Sequence, residues 1–332
     1  MKRAATALAP VFAAACVLVA GSDATGTGQV RVGYVALTGT IAGKRTLLGE
    51  PLLGFRRAIT KPGVQGKVLY VPPNQDATAA LASFARQRYD LVINGVPDPN
   101  PVDPVARRFP RVKFFLPDFP IQALEHRRKN VLGSRYIAEE AGYLAGYLAA
   151  LMEDRRRGEH VISAVGGVPF PGVARWIVGY RAGARKADPS ITIEVDYTGD
   201  FSNPAKCRTV ALKQIADGSG VVFNVAGACG LGALQAAKAK GVWGIGVDVD
   251  QSYLGRHILT SAVIRLDRGV FATIGRLVRG NLTTGKNIEF DLRNGNVGLG
   301  KISPKVPHLF LRRLANVRRA IIAGRIRVPR VT

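Results

Sequence analysis

"VWGIGVDVDQ", residues 242–251, ends an apolar run on two carboxylates, Asp248 and Asp250. A carboxylate in such a place can accept hydrogen bonds from a ligand or from backbone N–H groups. Because the strand-like run stops between them, one can face a ligand while the other caps the following turn. Upstream, "NVAGACGLGALQ" sets Gly227, Gly230 and Gly232 after another apolar run. Glycines there either let backbone N–H groups approach an oxygen-rich ligand ahead of a helix N-terminus, or simply close a tight strand-to-helix turn. Their order is not G-x-G-x-x-G, and nothing reads G-x-x-x-x-G-K-[ST], so neither a dinucleotide fingerprint nor a Walker A loop is present. There is no G-x-S-x-G elbow, no H-E-x-x-H helix and no carboxylate pair spaced for acid–base work. His126, His160, His257 and His308 are isolated from one another and no C-x-x-C occurs, so no metal site or cofactor is expected.

The elements that must position these residues alternate along the chain. "VRVGYVAL", "KVLYV", "DLVING" and "VKFFLPD" have strand character, and stretches such as "DATAALASFARQRY" between them have helical spacing. The pattern restarts at "NVLGSRYI" and the long helix "AEEAGYLAGYLAALM", then runs through "HVISAVGG", "TIEVDYTG", "GVVFNVAG", "VWGIGVD" and "HILTSAVI". A tail follows with a helix, two short strands and a last helix after Pro304. Two sets of β-α-β units predict an α/β chain with two parallel sheets covered by helices. Ligands of open parallel sheets sit beyond the carboxyl ends of the strands. That rule singles out Thr38, Asn94, Asp118, Gly167, Phe201, Gly227 and Asp248.

The 332 residues suit two domains, and the 47% hydrophobic content is that of a globular protein. Lys and Arg number 47 against 23 Asp and Glu, a net charge of +24. Such a surface attracts anionic partners, including acidic envelope polymers, without specifying a fold. The basic clusters are short, scattered and not interleaved with aromatics, so no nucleic-acid partner is expected. "MKRAATALAPVFAAACVLVAGSD" has a basic start, an apolar run and small residues before Asp23, the layout of an export signal over residues 1–22. Cys16 stands in a lipobox-like "FAAAC" and would be lipidated in one reading; in the other it leaves with a signal cleaved near Ser22. Either way Cys207 and Cys229 remain, and an oxidising compartment favours a bridge over two thiols.

Taken together, "EEAGYLAGYLAALM", "VGGVPFPGVARWIVGYRAGAR", "DYTGDFSNPAKCRTVAL", "VFNVAGACGLGALQAAKAKGVWGIGVDVDQ" and "ILTSAVIRLDRGVF" resemble the basic membrane protein (BMP) family of ABC-transporter substrate-binding proteins. The resemblance implies a type I periplasmic-binding-protein fold, two Rossmann-like lobes joined by a hinge of three crossovers. The expected divisions are 29–132 plus 260–289 for lobe 1 and 133–259 plus 290–332 for lobe 2. It also implies a monomer that binds a small solute in the interlobe cleft outside the cytoplasm and delivers it to an ABC permease, rather than an enzyme. In nucleoside-binding members Phe201 matches a ring that stacks on the base, Gly227 a backbone approach and Asp248 the acid that takes the ribose hydroxyls. Cys207 and Cys229 would then lie at one end of the second sheet and brace these loops.

The first lobe departs from that pattern. Leu37 replaces an aspartate, Ala42-Gly43-Lys44 stands for D-D-K, and Arg45-Thr46-Leu47 stands for S-F-N. Ile264, with Arg265 beside it, replaces a lysine, and Pro169 replaces an acid. Of the first-lobe ligand motif only Lys44 is kept, so a sandwich of two rings is reduced to one; the expected ligand is a nucleoside-like or other small polar solute, with a less cationic or anionic one tolerated or preferred, and the alternative is a scaffold that has lost small-molecule binding. The competing reading on the same scaffold is a non-transport envelope protein, either a sensor or a binder of anionic cell-surface polymer. A nucleotide-dependent oxidoreductase is disfavoured by the export signal and the broken fingerprint.

Overall fold

The computed structural model describes residues 29–331 apart from 44, 45 and 157. The first set of apolar runs forms β1 (Val30–Leu37), β2 (Val64–Val71), β3 (Leu91–Asn94), β4 (Lys113–Leu116) and β5 (Val131–Tyr136). Between them lie α1 (Gly49–Ala58), α2 (Thr78–Arg86) and α3 (Val102–Arg108). After α4 (Ala138–Glu153) the second set follows: β6 (Val161–Gly166), β7 (Thr192–Tyr197), β8 (Ser219–Val225), β9 (Trp243–Asp248) and β10 (Ile258–Ile264). Its strands alternate with α5 (Pro171–Ala187), α6 (Pro204–Ala216) and α7 (Gly230–Lys240). The tail supplies α8 (Leu266–Val278) and β11 (Lys286–Phe290) to the first lobe, then β12 (Val297–Leu299) and α9 (His308–Ile322) to the second.

Strand order is β11-β5-β4-β3-β1-β2 in one sheet and β12-β10-β9-β8-β6-β7 in the other. Every pairing is parallel except that of β10 with β12. Parallel strands need helical crossovers that cover both faces, so β3 and β8 are buried along their whole length, while the edge strands β2 and β7 are not.

Strand pairing moves the expected lobe divisions. The divisions at 132/133, 259/260 and 289/290 would cut β5, β10 and β11, because a chain can leave a sheet only after its last ladder bond. β5 stays in the first sheet to Tyr136, and β10 belongs wholly to the second. The linking segments are therefore Ile137, Arg265 and residues 291–296. They lie side by side: Ile137 N donates to Phe290 O (2.8 Å), and Arg265 N donates to Asn296 O (2.7 Å).

Helices α4 and α5 make the closest helix contact in the second lobe. A Cβ on Gly146 would stand 1.9 Å from Tyr180 O, and one on Gly183 1.9 Å from Tyr143 O. Gly142 and Gly179 are equally closed, so glycines spaced four apart on both helices let the backbones touch. This contact fixes the axis of α5, and with it whatever the first turn of α5 carries. No helix among the described residues is long and apolar enough to cross a membrane. Residues 1–28, with the expected export signal and Cys16, lie outside the described residues.

Candidate functional site

Strand order reverses between β1 and β3 in the first sheet and between β6 and β8 in the second. Crevices open at such reversals, beyond the strand ends. Thr38 and Asn94 flank the first crevice, Gly167 and Gly227 the second. Thr38 is exposed, and its N–H is used by Val71 O (2.8 Å). Asn94 is buried, and its Nδ2 donates to Asp98 O (2.8 Å) to hold the loop after β3. It shares a small cavity of about 80 Å³ with Asp118. Lys44 lies outside the described residues.

Phe201 is held in place by its own loop. Asp200 accepts from Ser202 N (2.8 Å) and Asn203 N (3.1 Å) and pairs with Lys206 (3.0 Å). The Ser202 backbone donor, then the lysine, then the Asn203 backbone donor hold its carboxyl well below the usual carboxylate range. Asn203 caps α6 through Ala205 N (3.0 Å), and Pro204 occupies the first helical position. Phe201 O accepts from Cys229 N (2.9 Å), which ties this loop to the glycine turn after β8. A disulfide between Cys207 and Cys229, with Cα atoms 5.5 Å apart, ties the same two segments covalently. The Phe201 ring lies over Gly167, where a Cβ would stand 2.3 Å from the ring edge.

The three glycines after β8 have separate reasons. Gly227 has φ +56°, so the turn needs it, and its backbone is exposed. Gly230 packs on the Asn224 side chain and Gly232 on Pro204 O, leaving no room for a Cβ. The N–H groups of Cys229, Gly230, Leu231 and Gly232 are all taken by carbonyls of the chain itself. Those four N–H groups are therefore not free to cradle a phosphate, and the exposed backbone of the turn is that of Gly227 and Ala228.

The strongest charge contact in the cleft joins the two lobes. Arg175, in the first turns of α5, meets Asp118, just past β4, through Nη1–Oδ1 (2.9 Å) and Nη2–Oδ2 (2.6 Å). Their side chains are 15% and 13% exposed, so the pair is largely withdrawn from water. Arg175 Nε also donates to Gly172 O (3.2 Å). Burial alone would lower the Arg175 pKa, but Asp118, then Asp248 and Glu139, outweigh it and raise it. Asp248 shows the opposite balance: burial pushes its pKa up to about 7, against the lowering effect of Arg175, and Asp118 adds to the rise. Asp118 (φ +61°) and Asp248 (φ +65°) are two of four non-glycine residues with positive φ among the described residues. Aspartate tolerates that region better than most residues, and such backbone gathers at functional sites.

Sequence reasoning missed Arg175. The available signal was an arginine near a helix N-terminus, where the helix dipole disfavours a cation unless an acid offsets it. Asp250 caps a turn, its Oδ1 accepting from Ser252 N (3.1 Å). Asp248 and Asp250 open onto a cavity of about 490 Å³ that Glu50 of the first lobe and Arg265 of the middle crossover also line. Asp103, Glu125 and His126 are the one group of potential metal ligands among the described residues, and Arg128 Nε already occupies Asp103 (2.7 Å).

Two parallel-sheet lobes linked by adjacent crossovers, with acids, a ring and bare backbone at their facing strand ends, define a cleft-type solute-binding protein. The profile of the Bmp family, ABC transporter substrate-binding protein PnrA-like, matches residues 52–332, and the chain belongs to that family. Basic membrane protein A2 of Borrelia garinii subsp. bavariensis is 32% identical over 229 residues, 68% of this chain and 66% of the relative's length. The ABC transporter nucleoside-binding protein BmpA of Lactococcus lactis subsp. cremoris is 29% identical over 275 residues, 76% of this chain and 75% of its own. A solved ABC transporter solute-binding protein from Aeropyrum pernix K1 shares the fold, with a TM-score of 0.74 at 24% identity over 91% of this chain and 94% of that one.

Proposed function

We propose that this protein works outside the cytoplasm as the solute receptor of an ABC importer, taking a nucleoside-like solute in the interlobe cleft and presenting it to a permease. The observation that carries this reading is the grouping at the second sheet's carboxyl end: the exposed Phe201 ring, the bare backbone at Gly227 and the Asp248 carboxyl. A flat ring stacks on Phe201, Gly227 lets the backbone come close, and vicinal hydroxyls donate to Asp248 once it is ionised. Lobe closure about the three crossovers then covers the solute. The nucleoside-binding description of the lactococcal relative supports the ligand class. The reading of the protein as a holder of anionic envelope polymer gains nothing from the family assignment.

A thermal-shift panel of nucleosides, nucleobases, sugars and anionic metabolites tests this function. Saturation at 100 times Kd adds about 2.7 kcal/mol, a rise of several degrees for lobes of this size. A flat response to every nucleoside would contradict the assignment.

A further inference from the structure

Phe170 is an aromatic side chain that no role described so far uses, and it is 49% exposed next to Phe201, which is 40% exposed. The two rings stand at 89° with centroids 6.0 Å apart, edge to face, at the carboxyl end of the second sheet. Each ring rests on a glycine. Gly167 underlies Phe201, and Gly172 underlies Phe170, where a Cβ would stand 2.4 Å from the ring. Phe170 is also fixed by its backbone, since prolines flank it at 169 and 171 and hold it extended (φ −149°, ψ 166°) as α5 begins. Two large apolar surfaces that are rigid, backed by backbone and still half open to water are disfavoured unless something covers them.

The first lobe lacks the ring expected there. Thr46 stands at that position, and its Oγ1 accepts from Gly49 N (3.1 Å) at the start of α1. Asp118, which lines the first-lobe cavity with Asn94, is engaged on both oxygens by Arg175. Gly172 links the two features, because its carbonyl accepts from Arg175 Nε while its Cα supports the Phe170 ring.

From this geometry we infer that Phe170 is the second ring-contacting residue of the ligand site. With Phe201 it forms a right-angled aromatic corner that receives a flat heteroaromatic ring face-on against one phenyl and edge-on against the other. The inference rests on the nucleoside-like reading above and deepens it in two ways. Ring recognition becomes a property of the second lobe alone, so the ring can dock before the lobes close. It also becomes a matter of shape, because the corner presents π-faces and no hydrogen-bonding side chain, so purine and pyrimidine nucleosides are held with similar affinity.

Equilibrium dialysis of adenosine, inosine, guanosine, cytidine and uridine against the mature protein tests the corner, using wild type, Phe170→Ala, Phe170→Tyr and Phe201→Ala. Edge-to-face contact predicts that Phe170→Ala weakens every nucleoside by about 2- to 10-fold. Loss of the stacking face in Phe201→Ala predicts a drop of about 5- to 100-fold. Phe170→Tyr, which keeps a ring in the corner, retains more affinity than Phe170→Ala. Phe170 is half exposed, so Phe170→Ala keeps the wild-type melting temperature, which separates a lost contact from a damaged fold. Unchanged affinities in Phe170→Ala would overturn the corner and assign the exposed ring to contact with another surface. Strong discrimination among the five bases by wild type would overturn recognition by shape. A wild type that binds none of the five would overturn the functional reading and the corner with it.

Discussion

Replacing Arg175 by glutamine keeps most of the side chain's bulk but leaves Asp118 without its bidentate partner. Exposed ion pairs contribute about 0–1 kcal/mol, and removing one member of a fully buried pair costs about 3–5 kcal/mol. The Arg175 and Asp118 side chains, 15% and 13% exposed, sit between these limits, which suggests a cost of about 2 kcal/mol. That cost falls on closure rather than on folding, because the partners belong to different lobes and opening the cleft rehydrates Asp118. About 2 kcal/mol lowers the closed-to-open ratio roughly 30-fold. X-ray scattering with and without a saturating nucleoside reads the change: Arg175→Gln should stay extended where wild type compacts, with its melting temperature nearly unchanged. Asp118→Asn and the double substitution complete a cycle whose coupling term isolates the pair. A variant that melts several degrees lower yet compacts and binds like wild type would instead make the pair a staple of the fold with no part in closure.

Asp248 and the disulfide give further outcomes. Burial raises the Asp248 pKa to about 7, so the folded protein holds that proton more tightly than the unfolded chain. The stabilising contribution is complete below about pH 4 and is lost as pH rises to about 7, and Asp248→Asn should flatten that slope in pH-resolved melting. Two hydroxyls can donate to both carboxyl oxygens only in the ionised form, so nucleoside affinity should rise by up to about tenfold between roughly pH 6 and pH 8; a flat titration would remove Asp248 as the acceptor of both. The Cys207–Cys229 bridge closes a separation of 22 residues, worth about 3 kcal/mol in the chain-entropy account. Paired Cys→Ser substitution should lower stability by that order in denaturant melts, and thiol labelling of denatured, unreduced protein should leave both cysteines unmodified.

The alternation of apolar runs and helical stretches makes the two parallel sheets legible in the sequence, because strands buried on both faces are written as continuous apolar runs. The crossovers are less legible. Nothing in "NVLGSRYI" or "HILTSAVI" marks where the chain changes lobe, since the switch depends on which sheet each strand pairs with. Looking just past each strand found Asp118 and Asp248, the two acids with left-handed backbone. It could not find Arg175 or Phe170, which reach the cleft from the start of α5 and whose roles depend on a partner in the other lobe or a neighbouring loop. The glycine pattern alone leaves ligand approach and a tight turn equally open, and the structure divides it into one turn residue and two packing contacts.

Calorimetric titration of a nucleoside such as adenosine into wild type, Phe201→Ala and Asp248→Asn separates a nucleoside receptor built on these two residues from a protein with another ligand. Wild type should show saturable one-to-one binding, weakened at least about fivefold by each substitution, since one removes the stacking face and the other the ionisable acceptor. Absence of binding to any nucleoside, or binding that neither substitution weakens, would contradict the nucleoside-receptor reading.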